Sequence, residues 1–242
     1  MPEGPSIYIL REESIRFEGS VIARIEGNTG EPVRDFEGAE ITAIKSWGKH
    51  YLIYFGKRAI RIHFLLFGTY RIDQPKESSP RLSLFTNRGD LHFYACSIKI
   101  LENPDEQYDW AADVMSPQWN PTAALKKLRQ VPEMMICDAL LEQEIFAGVG
   151  NIIKNEVLYR LKLHPESLTG KISKARLKLV AEQARIYSFE FLEWKKQFVL
   201  KKHWLAHTRK TCMLCSLPLF KKNTGRKKRR SFYCENCQKK YG

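Results

Sequence analysis

Short runs of alternating apolar and polar positions fill the first part of the chain, and this period of two is typical of half-buried β-strands. The runs lie at 21–25, 41–45, 51–55, 60–63, 69–72, 81–85 and 91–100. The last two flank Asn87, Arg88, Gly89 and Asp90, a turn-forming tetrapeptide of the kind that closes a hairpin. A short helix is predicted over residues 1–15. Residues 1–115 are therefore expected to form an N-terminal β-sandwich with a flanking helix.

The pattern changes in the middle of the chain. Residues 103–121 are rich in proline and polar side chains and are interpreted as a linker. Beyond them, apolar positions recur with helical spacing over 123–128, 132–143, 152–161 and 174–198. Asn120 and Pro121 match an N-cap followed by proline at the first helical position. The sequence thus predicts an α+β multidomain protein whose second domain, 120–200, is helical.

Positive charge is concentrated at the C-terminal end. The chain has 242 residues, with 40 Lys+Arg against 27 Asp+Glu and a net charge of +13. Residues 195–242 hold 15 basic residues and one acidic residue, Glu235, so this segment alone carries 15 − 1 = +14. Such asymmetry indicates an anionic polymer as partner. The alternative is a basic tail that only keeps the protein solvated.

The apolar content is sufficient for folded cores, because 43% of the residues are hydrophobic. The longest unbroken apolar runs fall far short of the roughly 20 residues that cross a bilayer, so no membrane span is predicted. The start of the chain has neither the basic residues nor the apolar stretch of a secretion signal. We therefore expect a cytoplasmic protein whose cysteines are thiols or metal ligands.

Four of the six cysteines form two CxxC pairs. Cys212 and Cys215 are separated by eighteen residues from the second pair, Cys234 and Cys237. Four thiolates complete a closed tetrahedral shell, so we expect one structural Zn²⁺ in a zinc finger over residues 205–242. Four coincidentally spaced buried cysteines are the alternative. The basic segment 221–231 lies between the pairs and would become a metal-fixed hairpin.

The two remaining cysteines, Cys96 and Cys137, stand in apolar strand and helix contexts and are expected to be core residues.

A glycine-containing turn separates two helical patterns. Gly148 and Gly150 permit positive φ and a close backbone approach, and Asn151 can cap the next helix. A turn that presents backbone N–H groups and a helix N-terminus is suited to bind phosphate. Without the neighbouring basic hairpin, an ordinary helix–helix turn would be the better interpretation.

The start of the chain contains two groups that could act as reagents. If Met1 is removed, Pro2 becomes a free secondary amine whose pKa lies well below that of lysine, and Glu3 beside it offers a carboxyl group. The amine could attack an electrophilic sugar carbon and form an iminium ion. Taken alone, these residues are also simply the first residues of a chain.

These motifs together resemble the formamidopyrimidine-DNA glycosylase and endonuclease VIII family over essentially the whole chain. The resemblance rests on four elements in the family's order: the Pro-Glu-Gly-Pro start, the Gly48-Lys49 turn, the helix–two-turn–helix segment around 141–151, and the terminal zinc hairpin through 229–238. It implies an enzyme that excises oxidised bases from double-stranded DNA and then cleaves the strand. A monomer is expected, associated with the nucleoid when bound to DNA.

The resemblance also implies roles for individual residues. Pro2 would attack C1′ of the damaged nucleotide and form a Schiff base, and Glu3 would assist opening of the sugar ring and later proton transfers. Lys49 would stabilise a flanking phosphate and donate a proton during base loss. Asn151 would bind phosphate near the lesion. Arg229 matches the hairpin arginine that contacts phosphate and is linked to δ-elimination.

Further DNA contacts are implied at two places. Leu65, Leu66 and Phe67 stand where the family has its void-filling loop, which enters the duplex when the damaged nucleotide is everted. An apolar run in a β-rich half is more often core, and Gly68 after the run favours a turn. Arg230, beside Arg229, is expected to contact DNA, although it could also be a solvated charge.

The sequence favours oxidised pyrimidines over purines as substrates. The stretch 94–100 lacks the Arg-Arg-Phe element of the purine branch and is closer to the endonuclease VIII branch of the family. No glycine occurs between residues 171 and 211, where the purine branch has a glycine-rich loop. Ser6 stands where many members have glutamate, so the recognition of the base stays open. The alternatives are an oxidised-purine glycosylase of the same family, a non-catalytic zinc-finger DNA-binding protein and an RNA-binding zinc ribbon.

Overall fold

The computed structural model describes residues 2–242. The chain divides into two compact units, Met1–Tyr108 and Asp109–Gly242. The predicted helical segment and the predicted zinc module both belong to the second unit. The three domains expected from the sequence, 1–115, 120–200 and 205–242, stay a prediction, because a division into two units does not separate the second from the third.

The first unit consists of a helix, an antiparallel sheet and a short second helix. Its sheet has six strands in the order β1-β5-β6-β4-β3-β2. The elements are α1 (Gly4–Ser14), β1 (Ile22–Glu26), β2 (Ala43–Trp47), β3 (His50–Phe55), β4 (Arg58–Ile72), β5 (Leu82–Thr86), β6 (Gly89–Glu102) and α2 (Pro104–Gln107).

Two long strands connect the halves of this sheet. The register of β4 against β6 shifts between Phe64 and Thr69, where four residues of β4 face Ala95, whose backbone has a positive φ of 47°. On one side of this bulge β4 pairs with β3, which pairs with β2, and on the other side β6 pairs with β5, which pairs with β1. Because a bulge bends the sheet, residues of both halves, such as Ile62 and Leu84, fill one core. The predicted β-sandwich is confirmed.

The bulge corrects one detail of the sequence analysis. Residues 60–63 and 69–72, predicted as separate strands, belong to the single strand β4. Gly68 lies within that strand, and a Cβ atom there would come within 2.7 Å of both the Ala95 carbonyl oxygen and the Phe64 Cβ. Only glycine therefore allows the two strands to approach so closely at the bulge.

The second unit contains five helices and one hairpin. Their bounds are α3 (Pro121–Arg129), α4 (Ile136–Ala139), α5 (Gln143–Phe146), α6 (Asn151–Arg160), α7 (Lys174–Lys196), β7 (Phe220–Thr224) and β8 (Arg229–Tyr233). The predicted start of α3 is confirmed, because the Asn120 side chain accepts hydrogen bonds from the backbone of Thr122 and Ala123. Among residues 2–242, no helix combines the length and apolar character needed to cross a membrane.

Two predictions for the middle of the chain are wrong. Residues 132–143 do not form one helix, because the Ile136 and Cys137 amides donate to the Ser167 and Pro165 carbonyls instead of extending a helix backwards. The segment 103–121, interpreted as a linker, is also partly folded. It contains α2, and Val114 and other apolar residues within it are buried.

Candidate functional site

Pro2 and Glu3 immediately precede α1. Glu3 is the N-cap residue of α1, and its backbone carbonyl accepts a hydrogen bond from the Ser6 amide at 2.8 Å. Its side chain is largely withdrawn from solvent, with 4% of the residue exposed, while Pro2 is partly exposed. Met1 lies outside the described residues, so its removal stays a prediction. The fold thus places a buried carboxyl group directly after the proline.

Lys49 lies in the tight turn between β2 and β3. Trp47 pairs with His50 across this turn, so Gly48 and Lys49 are its two central residues, and Gly48 has a positive φ of 54°. The predicted hairpin position of Lys49 is confirmed. The ring of His63 forms a hydrogen bond with the Lys49 backbone.

Two histidines beside Lys49 are held neutral. Burial, followed by the nearby positive charge of Arg61, lowers the pKa of His50 to about 3. Burial also lowers the pKa of His63. The His50 Nδ1 lies 3.1 Å from the hydroxyl of Tyr108. Near pH 7 the Lys49 ammonium therefore has neutral imidazoles as neighbours. Neither histidine was predicted as part of the site, although His50 adjoins Lys49 in the chain.

The apolar run 65–67 is exposed at the bulge of β4. Leu65, Leu66 and Phe67 are 51%, 62% and 83% exposed. Such exposure is unusual for three consecutive large apolar residues, and it rules out the core interpretation of this run. Phe64 immediately before them is buried, so the change from core to surface occurs within one residue.

The turn before α6 is organised by Gln143. The Gln143 side chain accepts a hydrogen bond from the Gly148 amide at 3.1 Å and donates to the carbonyl oxygens of Val149 and Leu141. Gly148 has the expected positive φ, whereas Gly150 has a φ of −123°. Gln143 lies within the helix–two-turn–helix segment found in the sequence, but its hydrogen bonds to the turn were not predicted.

The prediction that Asn151 caps α6 is wrong. Gly150 is the N-cap residue, no side chain caps the helix, and Asn151 is its first residue. The Asn151 Oδ1 atom is buried and makes no hydrogen bond within residues 2–242. The Asn151 side chain is therefore not used to close the helix terminus.

The predicted basic hairpin is formed by β7 and β8. Arg229 is the first residue of β8 and pairs with Thr224, while Arg230 pairs with Asn223. Both arginines are exposed. Pro2, Glu3 and Lys49 belong to the first unit, and Asn151 and Arg229 belong to the second.

The four cysteines of the CxxC pairs converge. Their sulfur atoms all lie within 4.8 Å of one another. The Cys212 and Cys237 sulfurs are 3.9 Å apart, and those of Cys215 and Cys234 are 3.6 Å apart. Four ligands at about 2.3 Å from a tetrahedral Zn²⁺ would be separated by about 3.8 Å. The donor set and its spacing therefore fit this ion. Cys96 and Cys137 are buried, as predicted.

Three consecutive polar residues are buried in α6. They are Lys154, Asn155 and Glu156, and the Glu156 carboxylate accepts hydrogen bonds from the backbone amides of Leu205, Ala206 and His207. Burial raises the pKa of Glu156, and these three amides oppose that shift. This arrangement could not be predicted from the sequence, because polar residues on a helix are ordinarily exposed.

His207 makes the second unit sensitive to acid. Burial and the nearby Lys154 lower the pKa of His207 to about 4. The Nδ1 atom of His207 lies 3.1 Å from the side-chain nitrogen Nδ2 of Asn155. In the unfolded chain a histidine has a pKa of about 6.5, so the unfolded state binds more protons between pH 6.5 and 4. Stability will fall as the pH is lowered through this window, by up to about 1.4 kcal/mol per pH unit.

Urea unfolding at pH 7 and pH 5 measures this effect. In His207→Phe, which keeps an aromatic ring against Phe232, the difference between the two midpoints should be smaller than in the wild type. Equal differences in the two proteins would contradict the role assigned to His207.

Two domain models of one known family match this chain. The model of the formamidopyrimidine-DNA glycosylase N-terminal domain matches residues 1–96, and that of the formamidopyrimidine-DNA glycosylase H2TH domain matches residues 111–193. Mouse endonuclease 8-like 3 is 30% identical over 218 residues, which are 86% of this chain and 36% of that protein. The DNA-(apurinic or apyrimidinic site) lyase Nei2 of Mycolicibacterium smegmatis is 28% identical over 71% of each chain.

A solved structure of Lactococcus lactis formamidopyrimidine-DNA glycosylase, non-covalently bound to DNA containing an abasic site, has the same fold. Its TM-score is 0.85 at 22% identity, covering 98% of this chain and 100% of that one. A viral DNA glycosylase gives a TM-score of 0.83 at 19% identity, with coverages of 98% and 100%.

The fold and the two matched domains define the class: an α+β protein with an N-terminal β-sandwich and a helix–two-turn–helix segment. The chain belongs to the formamidopyrimidine-DNA glycosylase family, as the sequence motifs predicted, and its sequence relatives named above include endonuclease 8-like and Nei proteins. It spans about a third of the length of the endonuclease 8-like 3 relatives, 36% for the mouse protein.

Proposed function

We propose that this chain is a bifunctional DNA glycosylase and AP lyase of base excision repair. The observation that carries the proposal is the buried Glu3 carboxyl group directly after Pro2 at the start of α1. Binding DNA alone needs neither an N-terminal secondary amine nor a buried acid beside it. A carboxyl group removed from water is suited to proton transfer at a reacting sugar.

The reaction begins at the N-terminal nitrogen. After removal of Met1, the Pro2 amine attacks C1′ of the damaged nucleotide, the bond from C1′ to the base breaks, and the base leaves with that electron pair and a proton. The nitrogen lone pair then breaks the C1′–O4′ bond, and O4′ keeps that electron pair and takes up a proton as the sugar ring opens. The C1′=N iminium ion that results is an electron sink. Loss of a proton from C2′ then expels the 3′ phosphate, and a second elimination expels the 5′ phosphate. Water finally releases the sugar remnant and restores the amine.

The other residues supply protons and bind phosphate. Glu3 assists opening of the sugar ring and the later proton transfers. Lys49, held in a rigid hairpin turn, stabilises a flanking phosphate and donates a proton during base loss. Asn151 and Arg229 bind phosphates near the lesion, and Arg229 assists the second elimination. Arg230 adds a cationic contact on the same strand.

The proposed substrate is double-stranded DNA with oxidised bases or abasic sites, bound by a monomer. Related solved structures support this: Lactococcus lactis Fpg was solved with abasic-site DNA and with DNA containing an oxidised pyrimidine. The exposed residues Leu65, Leu66 and Phe67 would fill the gap left by the everted nucleotide. One Zn²⁺ held by the four cysteines would stabilise the hairpin without entering the chemistry, because four protein ligands leave no position for water.

Oxidised pyrimidines are the preferred lesions in this proposal. The absence of glycine between residues 171 and 211 and the endonuclease 8-like relatives support this choice. Related Fpg was also solved with DNA containing N7-benzyl-Fapy-dG, a modified purine lesion, so the fold itself accommodates both lesion classes. A direct comparison of thymine glycol, 5-hydroxyuracil and 8-oxoguanine in identical duplexes separates the two branches.

Borohydride trapping on duplexes with an oxidised base or an abasic site tests the chemistry. The processed protein should form a covalent adduct with DNA. A variant that retains one extra residue before Pro2 is the matched control, because its Pro2 nitrogen is an amide without a nucleophilic lone pair. This variant should still bind the duplex, but trapping should fall to background. Equal trapping by both proteins, or DNA binding without trapping by either, would refute the proposal.

A further inference from the structure

The tip of the zinc hairpin is a turn that lies far from the cysteines. It joins β7 to β8 through residues 225–228, with positive φ at Gly225 and Lys228 and a hydrogen bond from the Lys228 amide to the Gly225 carbonyl. Arg229 follows immediately and is five residues from Cys234. At about 3.3 Å per strand residue, roughly 16 Å separates the arginine from the metal site. An isolated two-stranded ribbon is only marginally stable, so a metal at its base does not fix its tip.

A buried carboxylate accepts hydrogen bonds from the backbone of this turn. Asp138 on α4 is 4% exposed, and its two oxygens accept hydrogen bonds from the Arg226 amide at 2.6 Å and the Lys227 amide at 3.2 Å. Hydrogen bonds to an ionised acceptor are about twice as strong as neutral ones. The fit is close, because a Cβ on Gly225 would lie 2.3 Å from Asp138 Oδ1.

Asp138 also supplies the negative charge under a dense group of cations. Residues 226–230 are Arg226, Lys227, Lys228, Arg229 and Arg230. The ion pair between Lys227 and Glu142, at 3.0 Å, is partly exposed and therefore adds little. A buried anion below the turn offsets the repulsion among these side chains and favours the turn conformation.

The strand after Arg229 is held by α6. The Lys154 ammonium donates to the Ser231 hydroxyl at 2.9 Å and to the Arg230 carbonyl at 3.2 Å. Asn155 accepts a hydrogen bond from the Phe232 amide at 3.2 Å. Arg229 thus lies between two anchors within the second unit: the Asp138 carboxylate under the turn and the polar side chains of α6 under β8.

We propose that Asp138 is a positioning residue that fixes the hairpin tip and thereby the Arg229 guanidinium. This inference rests on the proposed function, because it assigns Asp138 to the step that Arg229 assists, the second elimination. Asp138 acts through the backbone of the turn and does not contact the reacting atoms. Without it, the zinc-bound base of the hairpin stays folded while the tip moves.

The first test is Asp138→Asn, which keeps the shape of the side chain but replaces one acceptor oxygen by a donor facing the turn. On an abasic-site duplex, the ratio of β,δ-elimination to β-elimination product should fall at least about tenfold, because small misplacements of a catalytic group are costly. Borohydride trapping should change by less than about twofold, since the Pro2 chemistry precedes this step. Zinc content should be unchanged.

Gly225→Ala disrupts the same contact from the other side. Its added methyl group meets the Asp138 carboxylate at 2.3 Å, so it should lower the product ratio in the same way. Because both substitutions break one contact, the double variant should be no worse than the more affected single variant. Strictly additive effects would refute a shared contact.

Asp113→Asn is the matched control. Asp113 is also 4% exposed in the second unit, and its carboxylate accepts a hydrogen bond from the Met115 amide at 2.9 Å, within its own segment of the chain. Its product ratio should equal that of the wild type. An unchanged ratio in Asp138→Asn, or an equal fall in Asp113→Asn, would overturn the proposal.

Limited trypsin digestion of the zinc-loaded proteins separates this inference from the proposed function. Trypsin should cleave within residues 226–230 faster in Asp138→Asn than in the wild type, because the turn is released. Unchanged cleavage would overturn the anchoring role. If the wild-type protein showed no lyase activity while Asp138→Asn was cleaved faster, the proposed function would fail and the anchor would stand.

Discussion

Glu3→Gln is expected to lower the release of an oxidised base at least about hundredfold, the effect of removing a general acid or base. The substitution preserves the size of a side chain that is almost fully buried, so the start of α1 should keep its structure. The amide cannot take up or release a proton during ring opening. Single-turnover excision from a duplex containing 5-hydroxyuracil measures the loss.

A duplex with a preformed abasic site provides the control for the same variant. The sugar at a preformed abasic site opens spontaneously in water, so its aldehyde needs less assistance from Glu3. Trapping on an abasic-site duplex should therefore be much less affected than base release. Base release at the wild-type rate in Glu3→Gln would exclude Glu3 as the proton-transfer group.

Cys234→Ser is expected to abolish stoichiometric zinc binding and to weaken duplex binding at least about hundredfold. Cys234 is buried in a small cluster with Tyr159, Ala206 and Phe232, so a metal bound by the four cysteines would stabilise the base of the hairpin together with this packing. The loss of an ordered hairpin removes several cationic contacts to phosphate at once, and each neutralised phosphate contributes strongly to affinity.

Zinc content and duplex affinity at two salt concentrations test this expectation. In Cys234→Ser the dependence of affinity on salt should become shallower, because fewer counterions are released. Cys96→Ala is the control: Cys96 is a buried thiol of the first unit, and its replacement should leave zinc content unchanged. Full zinc binding by Cys234→Ser would contradict the four-cysteine site.

The sequence predicted the features that depend on local spacing. The strands of the first unit, the Asn120 cap, the Gly48-Lys49 turn and the cysteine cluster all follow from patterns within a few residues. These are the features for which a short motif determines the backbone geometry. The exposed run 65–67 was expected only through the family resemblance.

The features that were missed depend on contacts between distant segments. The amides of residues 136 and 137 bond to residues 165 and 167, so an apparently helical stretch is interrupted by partners about thirty residues away. The burial of Lys154, Asn155 and Glu156 likewise depends on the chain from 205 to 232. A single sequence gives the chemistry of these side chains but not their partners.

The buried polar residues of α6 have a consequence for protein engineering. In the sequence, the zinc hairpin looks like a cassette with its own metal and its own boundaries. In the structure, its second strand is held by directional bonds from Lys154 and Asn155. Apolar packing tolerates many surfaces, whereas these bonds require particular donors and acceptors at matching positions. The hairpin is therefore not transplantable by itself: a functional graft must carry α6 with it.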